Sequence, residues 1–335
     1  MFSLLKKRLL GPIAGLHDRL LETQQSIIGQ LLQLEQRIDD KLLHLEQRID
    51  GKLLHLEHLV SECSRHDLEM DQRLAALVAR TEATGRSPGE RYRDGLHAVG
   101  VLNYENYTVS GERRFLVRLL QRFPTCVVVD VGANTGQYSE LVRELGPQAI
   151  IHAFEPHPAA FAGLVQLAAR IDAAAHPLAL GVVRGEVELF DYADTPGSQH
   201  ASLFREVIEH VHRRPSASWK VCCETLDAVA VEYGLEKIGL LKVDTEGNEL
   251  SVLQGARRLI ASGSIDVIQF EFNEMNVISR VFMRDFFALL ENYRIYRLLQ
   301  ESALEFAVYD PTFMEVFAFQ NIVCIRKDLD PSWIH

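Results

Sequence analysis

Residues 31–63 repeat with a period of eleven: LLQLEQRIDDK, LLHLEQRIDGK and LLHLEHLVSEC follow one another without a gap. The apolar side chains Leu31, Leu34, Ile38, Leu42, Leu45, Ile49, Leu53, Leu56 and Val60 advance by three, four and four residues. An eleven-residue period, about 3.67 residues per turn, belongs to a straight or slightly right-handed helical supercoil. Extended in both directions the pattern predicts a helix over 18–82, on the order of 90 Å long at about 1.5 Å per residue. One narrow stripe on so long a helix finds no wall in a compact domain, so partner helices must supply it, and copies of the same chain are the economical source. Gly29 and Gly51 each cost roughly 1 kcal/mol against alanine and weaken the rod without erasing its period. His44 and His55 occupy an off-stripe position that Gln33 fills in the first copy, so they read as solvated surface.

Residues 1–17 place Lys6, Lys7 and Arg8 among Phe2, Leu4, Leu5, Leu9, Leu10 and Ile13, with no acid. Such a leader suits an anionic membrane surface. Its charges interrupt the apolar run, which favours a retained segment over a cleaved signal. After Val78 the stretch TEATGRSPGERYRDG carries the glycine, proline and serine of a linker, set at 83–92. The five cysteines, Cys63, Cys126, Cys222, Cys223 and Cys324, show no CxxC or Cys/His spacing and read as reduced thiols of a cytoplasmic protein, peripheral at the inner membrane face through its leader. Nearly all of the net charge of −11 falls in residues 90–335. That argues against a nucleic-acid partner, because phosphate binding is chiefly electrostatic.

From residue 93 onward short apolar runs alternate with helical stretches. Strands are expected at 126–132, 149–156, 176–180, 185–192, 238–244, 265–272 and in the late runs YRIYRLL and NIVCIRK. Helices fit at 112–122, 137–145, 158–171, 224–233, 248–262 and 280–292. The βα alternation predicts an open, mostly parallel sheet with helices on both faces. The first strand ends in Asp130-Val131-Gly132-Ala133-Asn134-Thr135-Gly136 and runs into a helix at Gln137-Tyr138. A dinucleotide fingerprint needs a glycine where Asn134 stands, to admit a pyrophosphate. Glu155 closes the second strand, where a carboxylate can accept both hydroxyls of a ribose. An adenosine ligand without pyrophosphate, S-adenosylmethionine (SAM), fits this pair better than NAD.

The segments VVVDVGANTGQYS, AFEPHP, TLDAVA, LLKVDTEGNELSVLQGA and IQFEFNE, in this order, resemble the FkbM-type family of SAM-dependent methyltransferases over residues 125–325. The resemblance implies a class I, Rossmann-like methyltransferase domain over 93–335, with a seven-stranded sheet whose last strand is antiparallel. It implies methyl transfer to a hydroxyl oxygen. It places Gly132, Ala133, Asn134, Gly136 and Tyr138 along the amino-acid part of SAM, Asp130 near its ammonium, Glu155 on the ribose, Ala179 and Leu180 beside the adenine, and Asp244 facing the sulfonium and the acceptor.

Transfer to oxygen requires an aligned hydroxyl and gains from a base at the acceptor end. Asp244, Glu246 and His200 are the candidates, with Glu271 behind them, and His200 sits in the polar stretch DTPGSQHASLF. Glu249 is expected as a first-turn acid and Lys242 as a paired lysine in a buried strand. Asp244, Glu271 and Asn273 also resemble the acidic set of Mg²⁺-dependent O-methyltransferases, although strand-end acids are common and Mg²⁺ is not favoured. The acceptor expected is a sugar or glycan hydroxyl, with a small natural product next. An NAD-type oxidoreductase and a silent coiled-coil scaffold are the competing classes. A rod with a basic leader further suggests heads spaced from a membrane or a glycosyltransferase, with methylation capping a surface polysaccharide.

Overall fold

The computed structural model describes residues 86–182 and 184–335, together with isolated helical positions at Gly29, Gln36 and Lys52. The leader at 1–17, the hendecad repeat and Cys63 otherwise lie outside the described residues.

Ser87 starts the described chain as an N-cap. Its backbone N–H donates to Glu90 Oε2 at 2.7 Å while its hydroxyl accepts from Glu90 N, and Pro88 takes the first helical position of α1 (Pro88–Ala98). The expected linker at 83–92 thus contains a helix start: Ser-Pro-Gly-Glu is a capping box, and its proline is preorganised for the first turn. The expected helices at 112–122, 137–145 and 158–171 form as α2 (Glu112–Arg122), α3 (Gln137–Leu145) and α4 (Pro158–Ile171).

The parallel core joins β1 (Val127–Val131) to β2 (Ile150–Phe154) on one side and β7 (Ile238–Val243) on the other. Beyond them lie β3 (Ala174–His176) and β8 (Ile265–Phe272). The last strand, β11 (Gln320–Arg326), runs antiparallel between β8 and β9 (Tyr293–Leu298). The order β3-β2-β1-β7-β8-β11-β9 is the seven-stranded sheet expected, with the short β10 (Ala303–Glu305) added at its edge. Successive residues face opposite sides. Val129, Val131, Leu241, Val243 and Ile268 pack with Leu226, Val252 and Phe286 on one face. Val128, Leu240 and Val267 pack with Phe115, Leu119 and Val142 on the other.

Three expectations need correction. The run 176–180 is two strands, because β3 ends at His176 and β4 (Ala179–Leu180) leaves the main sheet to pair with β6 (Ser216–Glu224). With β5 (Gly185–Tyr192), paired antiparallel to β6, they form a separate three-stranded sheet. The helix expected over 248–262 breaks into α6 (Glu249–Gln254) and α7 (Arg257–Ala261). Gly255 comes against the carbonyl of Gly181, and α7 takes a new cap from Asp227 of α5 (Leu226–Glu232), whose carboxylate accepts from Arg258 N at 2.9 Å and Leu259 N at 3.0 Å. The helix expected over 280–292 forms only as α9 (Met283–Leu289), and a further short helix, α8 (Met275–Ser279), precedes it and is ended by Arg280 at φ 57°.

Candidate active site

Register builds the site. Val131 stands opposite Phe154 and Val243, and Val243 opposite Phe270, so four parallel strands reach the same level. The next residues, Gly132, Glu155, Asp244 and Glu271, therefore form one row along the carboxyl edge of the sheet, where ligands of open α/β folds bind. Gly132 has φ 79°, and a Cβ there would run into the carbonyl oxygen of Asp244. Gly136, at φ 93°, is closed in by Leu164 and Leu167 of α4. Asn134 also adopts a left-handed φ, 49°, which asparagine tolerates better than most residues.

A cleft opens over this row. Gly132, Asn134, Glu155, Ala179, Leu180, Asp244 and Glu246 all line it. Glu155 Oε2 accepts from Asn134 N at 2.8 Å and Oε1 from His157 N at 2.6 Å. Burial pushes this carboxyl up to about 7, against the pull of those two amides. Each oxygen keeps a lone pair for a ribose hydroxyl. Leu178, Ala179 and Leu180 give an apolar wall, whose backbone Asn248 fixes by donating Nδ2 to Leu180 O at 3.1 Å. The glycine cradle, the doubly held carboxylate and this wall fit the adenosine and amino-acid parts of SAM.

Asp130, Ala133, Gly136 and Tyr138 shape the turn from behind the cleft. Asp130, Lys242 and Gln269 are register neighbours on the face that carries α2 and α3. Asp130 Oδ2 accepts from Ser139 Oγ at 2.7 Å, and Tyr138 donates its hydroxyl to Gln269 Oε1 at 2.6 Å. Gln269 in turn donates to Glu112 Oε1 at 2.7 Å. Burial pushes Asp130 up to about 6 and raises Glu112 as well. Lys242 is buried beneath the Tyr138 ring with its Nζ 2.9 Å from Asp244 Oδ2. Burial works against its charge, but Asp244, Glu271, Glu112 and Asp130 outweigh that and raise its pKa.

The connection between β5 and β6 adds Ser198, Gln199, Ala201 and Leu203 to the cleft. His200 Nδ1 lies 3.1 Å from Glu246 Oε1, and Ser202 Oγ donates to Glu246 O at 2.7 Å. Glu246 itself is at φ 53° beside Gly247 at φ 106°. Its Oε2 is buried and meets no partner among the described residues. The hydrogen bond to Glu246 raises His200, while burial pushes Glu246 up. The His212 ring lies against His200 with centroids 4.3 Å apart and a tilt of 34°, and burial lowers the His212 pKa to about 4. Glu249 accepts from Thr245 N at 2.9 Å and Gly247 N at 3.1 Å, so it braces the turn.

The metal candidates do not converge. Asp244 Oδ2 is taken by Lys242, and Asn273 Oδ1 accepts from Met275 N at 3.1 Å. Among the described residues no three His, Cys, Asp or Glu side chains gather as a cation site. The set does not fit Mg²⁺.

Ser198, Gln199, Asn248 and the buried Asp191 went unread in the sequence. Asp191 holds the loop above the cleft by accepting from Gly197 N at 2.7 Å, Ser198 N at 2.9 Å and Ser198 Oγ. An acid shortly before Thr-Pro-Gly-Ser was the available signal, since Asp side chains organise turns this way.

Residues 130–295 match the family model described as the Methyltransferase FkbM domain. Methyltransferase sdnD of Sordaria araneosa is 35% identical over 153 residues, covering 38% of this chain and 59% of that protein. The 31-O-demethyl-FK506 methyltransferase FkbM of Streptomyces tacrolimicus is 29% identical over 167 residues, covering 43% and 64%. The chain thus spans less than two thirds of these relatives. A solved FkbM methyltransferase from Methylobacillus flagellatus aligns at 13% identity with a TM-score of 0.39, over 65% of this chain and 52% of that one. The family model falls on the strands and turns that build the cleft, so residues 130–295 form a methyltransferase domain of the FkbM type.

Proposed function

We propose that the chain is a SAM-dependent O-methyltransferase whose acceptor is a hydroxyl of a sugar or glycan. The observation that carries this reading is the His200–Glu246 pair at the edge of the same cleft that holds Glu155. SAM, when bound, supplies a methyl group on a positively charged sulfur, open to attack by a nucleophile. The backbone of Gly132 and Asn134 fits its amino-acid part, Glu155 its ribose and Leu178 to Leu180 its adenine. Asp244 stands between this pocket and the acceptor end.

His200 is the base in this reading. Its Nδ1 is committed to Glu246, so Nε2 takes the proton of the acceptor hydroxyl, and the Glu246 carboxylate balances the imidazolium that results. Such a base is worth about 10²–10⁴-fold. His200→Ala is expected to lower kcat on that scale with KM for SAM unchanged. The pH–rate profile should rise through a value above the roughly 6.5 of an ordinary imidazole, because His200 must be neutral to act. Glu246→Gln should shift that limb downward. Near-wild-type turnover by His200→Ala removes the base assignment.

The sugar reading draws on the anionic domain and on the rod with its basic leader. A second reading, a small natural-product hydroxyl, draws on the relative named for 31-O-demethyl-FK506. Labelled SAM incubated with a glycan extract, followed by linkage analysis, separates them: O-methyl sugar supports the first, and its absence beside methylation of a polyketide hydroxyl supports the second. In either reading the hendecads assemble the heads into a homo-oligomer, and residues 1–17 bring them to a membrane surface or to a glycosyltransferase. Equal chain lengths of polysaccharide after deletion of one eleven-residue unit speak against a spacing role.

A further inference from the structure

Asn134 does two separate things. Its backbone N–H donates to Glu155 Oε2, on the ribose side of the cleft. Its carboxamide points the other way, and Nδ2 donates to Ser198 O at 2.8 Å. Ser198 belongs to the connection between β5 and β6, and its Oγ accepts from His200 N at 3.1 Å. Two hydrogen bonds therefore lead from the glycine turn after β1 to the main chain of His200, whose ring reaches Glu246. On the far side the loop is held from within β5 by Asp191, which is fully buried. A second link from the start of α3, Gln199 Nε2 to Gln137 Oε1 at 3.0 Å, lies in solvent. Water competes with that bond, so the sheltered one from Asn134 governs.

We infer that Asn134 is a positioning residue of the transfer reaction: its carboxamide carries the loop that presents His200, while its backbone alone serves the cofactor side. The inference rests on the reading of His200 and Glu246 as the base pair. It accounts for an asparagine where the backbone is left-handed and glycine would be easier, since glycine offers the same φ and amide but no donor to Ser198. It also gives the loop a reason to close in register with the cofactor pocket, because Ser198 and Gln199 line that cleft. Misplacing a catalytic group by about 1 Å from a distance costs on the order of 10²-fold in rate.

The test uses the full chain carrying Asn134→Gly, which keeps the backbone conformation and the amide to Glu155 and removes only the side chain. S-adenosylhomocysteine (SAH) serves as the probe in calorimetry, the His200 imidazole is titrated by NMR with His200→Ala as the assignment, and kcat and KM for SAM are measured with the glycan extract. The expected result is unchanged SAH affinity and KM, a His200 titration displaced from that of the wild type, and kcat lowered by on the order of 10²-fold. Weakened SAH binding with an unaltered His200 titration overturns the inference and returns the side chain to the cofactor. An unaltered titration with lowered kcat overturns it equally. Should the glycine variant not fold, Asn134→Asp carries the same test, since it tolerates the same φ and places an acceptor where Ser198 O needs a donor. Undiminished kcat in His200→Ala, with the titration still displaced in the Asn134 variants, overturns the base reading while leaving the tether in place.

Discussion

Asp130 at the end of β1 and Glu155 just beyond β2 are both pushed up by burial. Asp130 is fully buried, and its pKa of about 6 exceeds the roughly 3.9 of an unfolded aspartate. The folded state therefore binds the extra proton. The stability this adds is complete below the unfolded value and disappears as pH rises through about 6. The difference corresponds to roughly 2–3 kcal/mol. Asp130→Asn, which can still accept from Ser139, should flatten this loss, and urea midpoints at pH 5 and pH 8 measure it; an equal slope in both proteins counts against a protonated Asp130. The turn from Gly132 to Gly136, Glu155 and Asp244 were legible because they follow directly on strand ends, where position along the sequence becomes position in space. The partnership of His200 with Glu246 was not legible, since the two meet only after β5 and β6 fold into a second sheet. The sequence offered three candidate bases of comparable standing, and only the distance of 3.1 Å distinguishes a histidine held by a carboxylate from either acid alone.

At the scale of elements, the helices α2, α3 and α4 were readable to the residue. β6 was overlooked because its outward side is polar and its inward side is Trp219, Val221 and Cys223, which look like scattered positions until β5 is set beside them. The break between α6 and α7 was hidden for another reason: helical periodicity continues through Gly255, and only the approach of Gly181 ends the helix. Gly255→Ala, at an ordinary φ of −70°, should cost about 1–3 kcal/mol through that clash alone. Gly95→Ala in α1 meets nothing within 4 Å and should stabilise the protein by about 0.5–1 kcal/mol. Thermal unfolding of the two variants checks both signs, and a stable Gly255→Ala protein contradicts the close approach.

At the scale of the molecule, the net charge of −11 lies almost wholly on the catalytic unit. Lys242 holds a cation at the centre of several carboxyls there, which keeps Asp244 tied while Glu112 and Glu271 are pushed toward neutrality by burial. Among the described residues no helix is long and apolar enough to cross a membrane. The repeat at 31–63 makes its own demand: Leu45→Asp together with Ile49→Asp should dissociate the proposed homo-oligomer, read by sedimentation equilibrium, while SAH binding persists. An unchanged mass would take the stripe out of the assembly.

Four strands in register, with Val131, Phe154, Val243 and Phe270 level, carry a cost for change over evolutionary time. A single residue inserted within any of them turns its terminal side chain to the opposite face and withdraws one member of the row Gly132, Glu155, Asp244 and Glu271. The loops that follow carry no such constraint. The strand lengths are thus the gauge that sets the row, whereas the connection between β5 and β6 belongs to the second sheet and can change length without moving it.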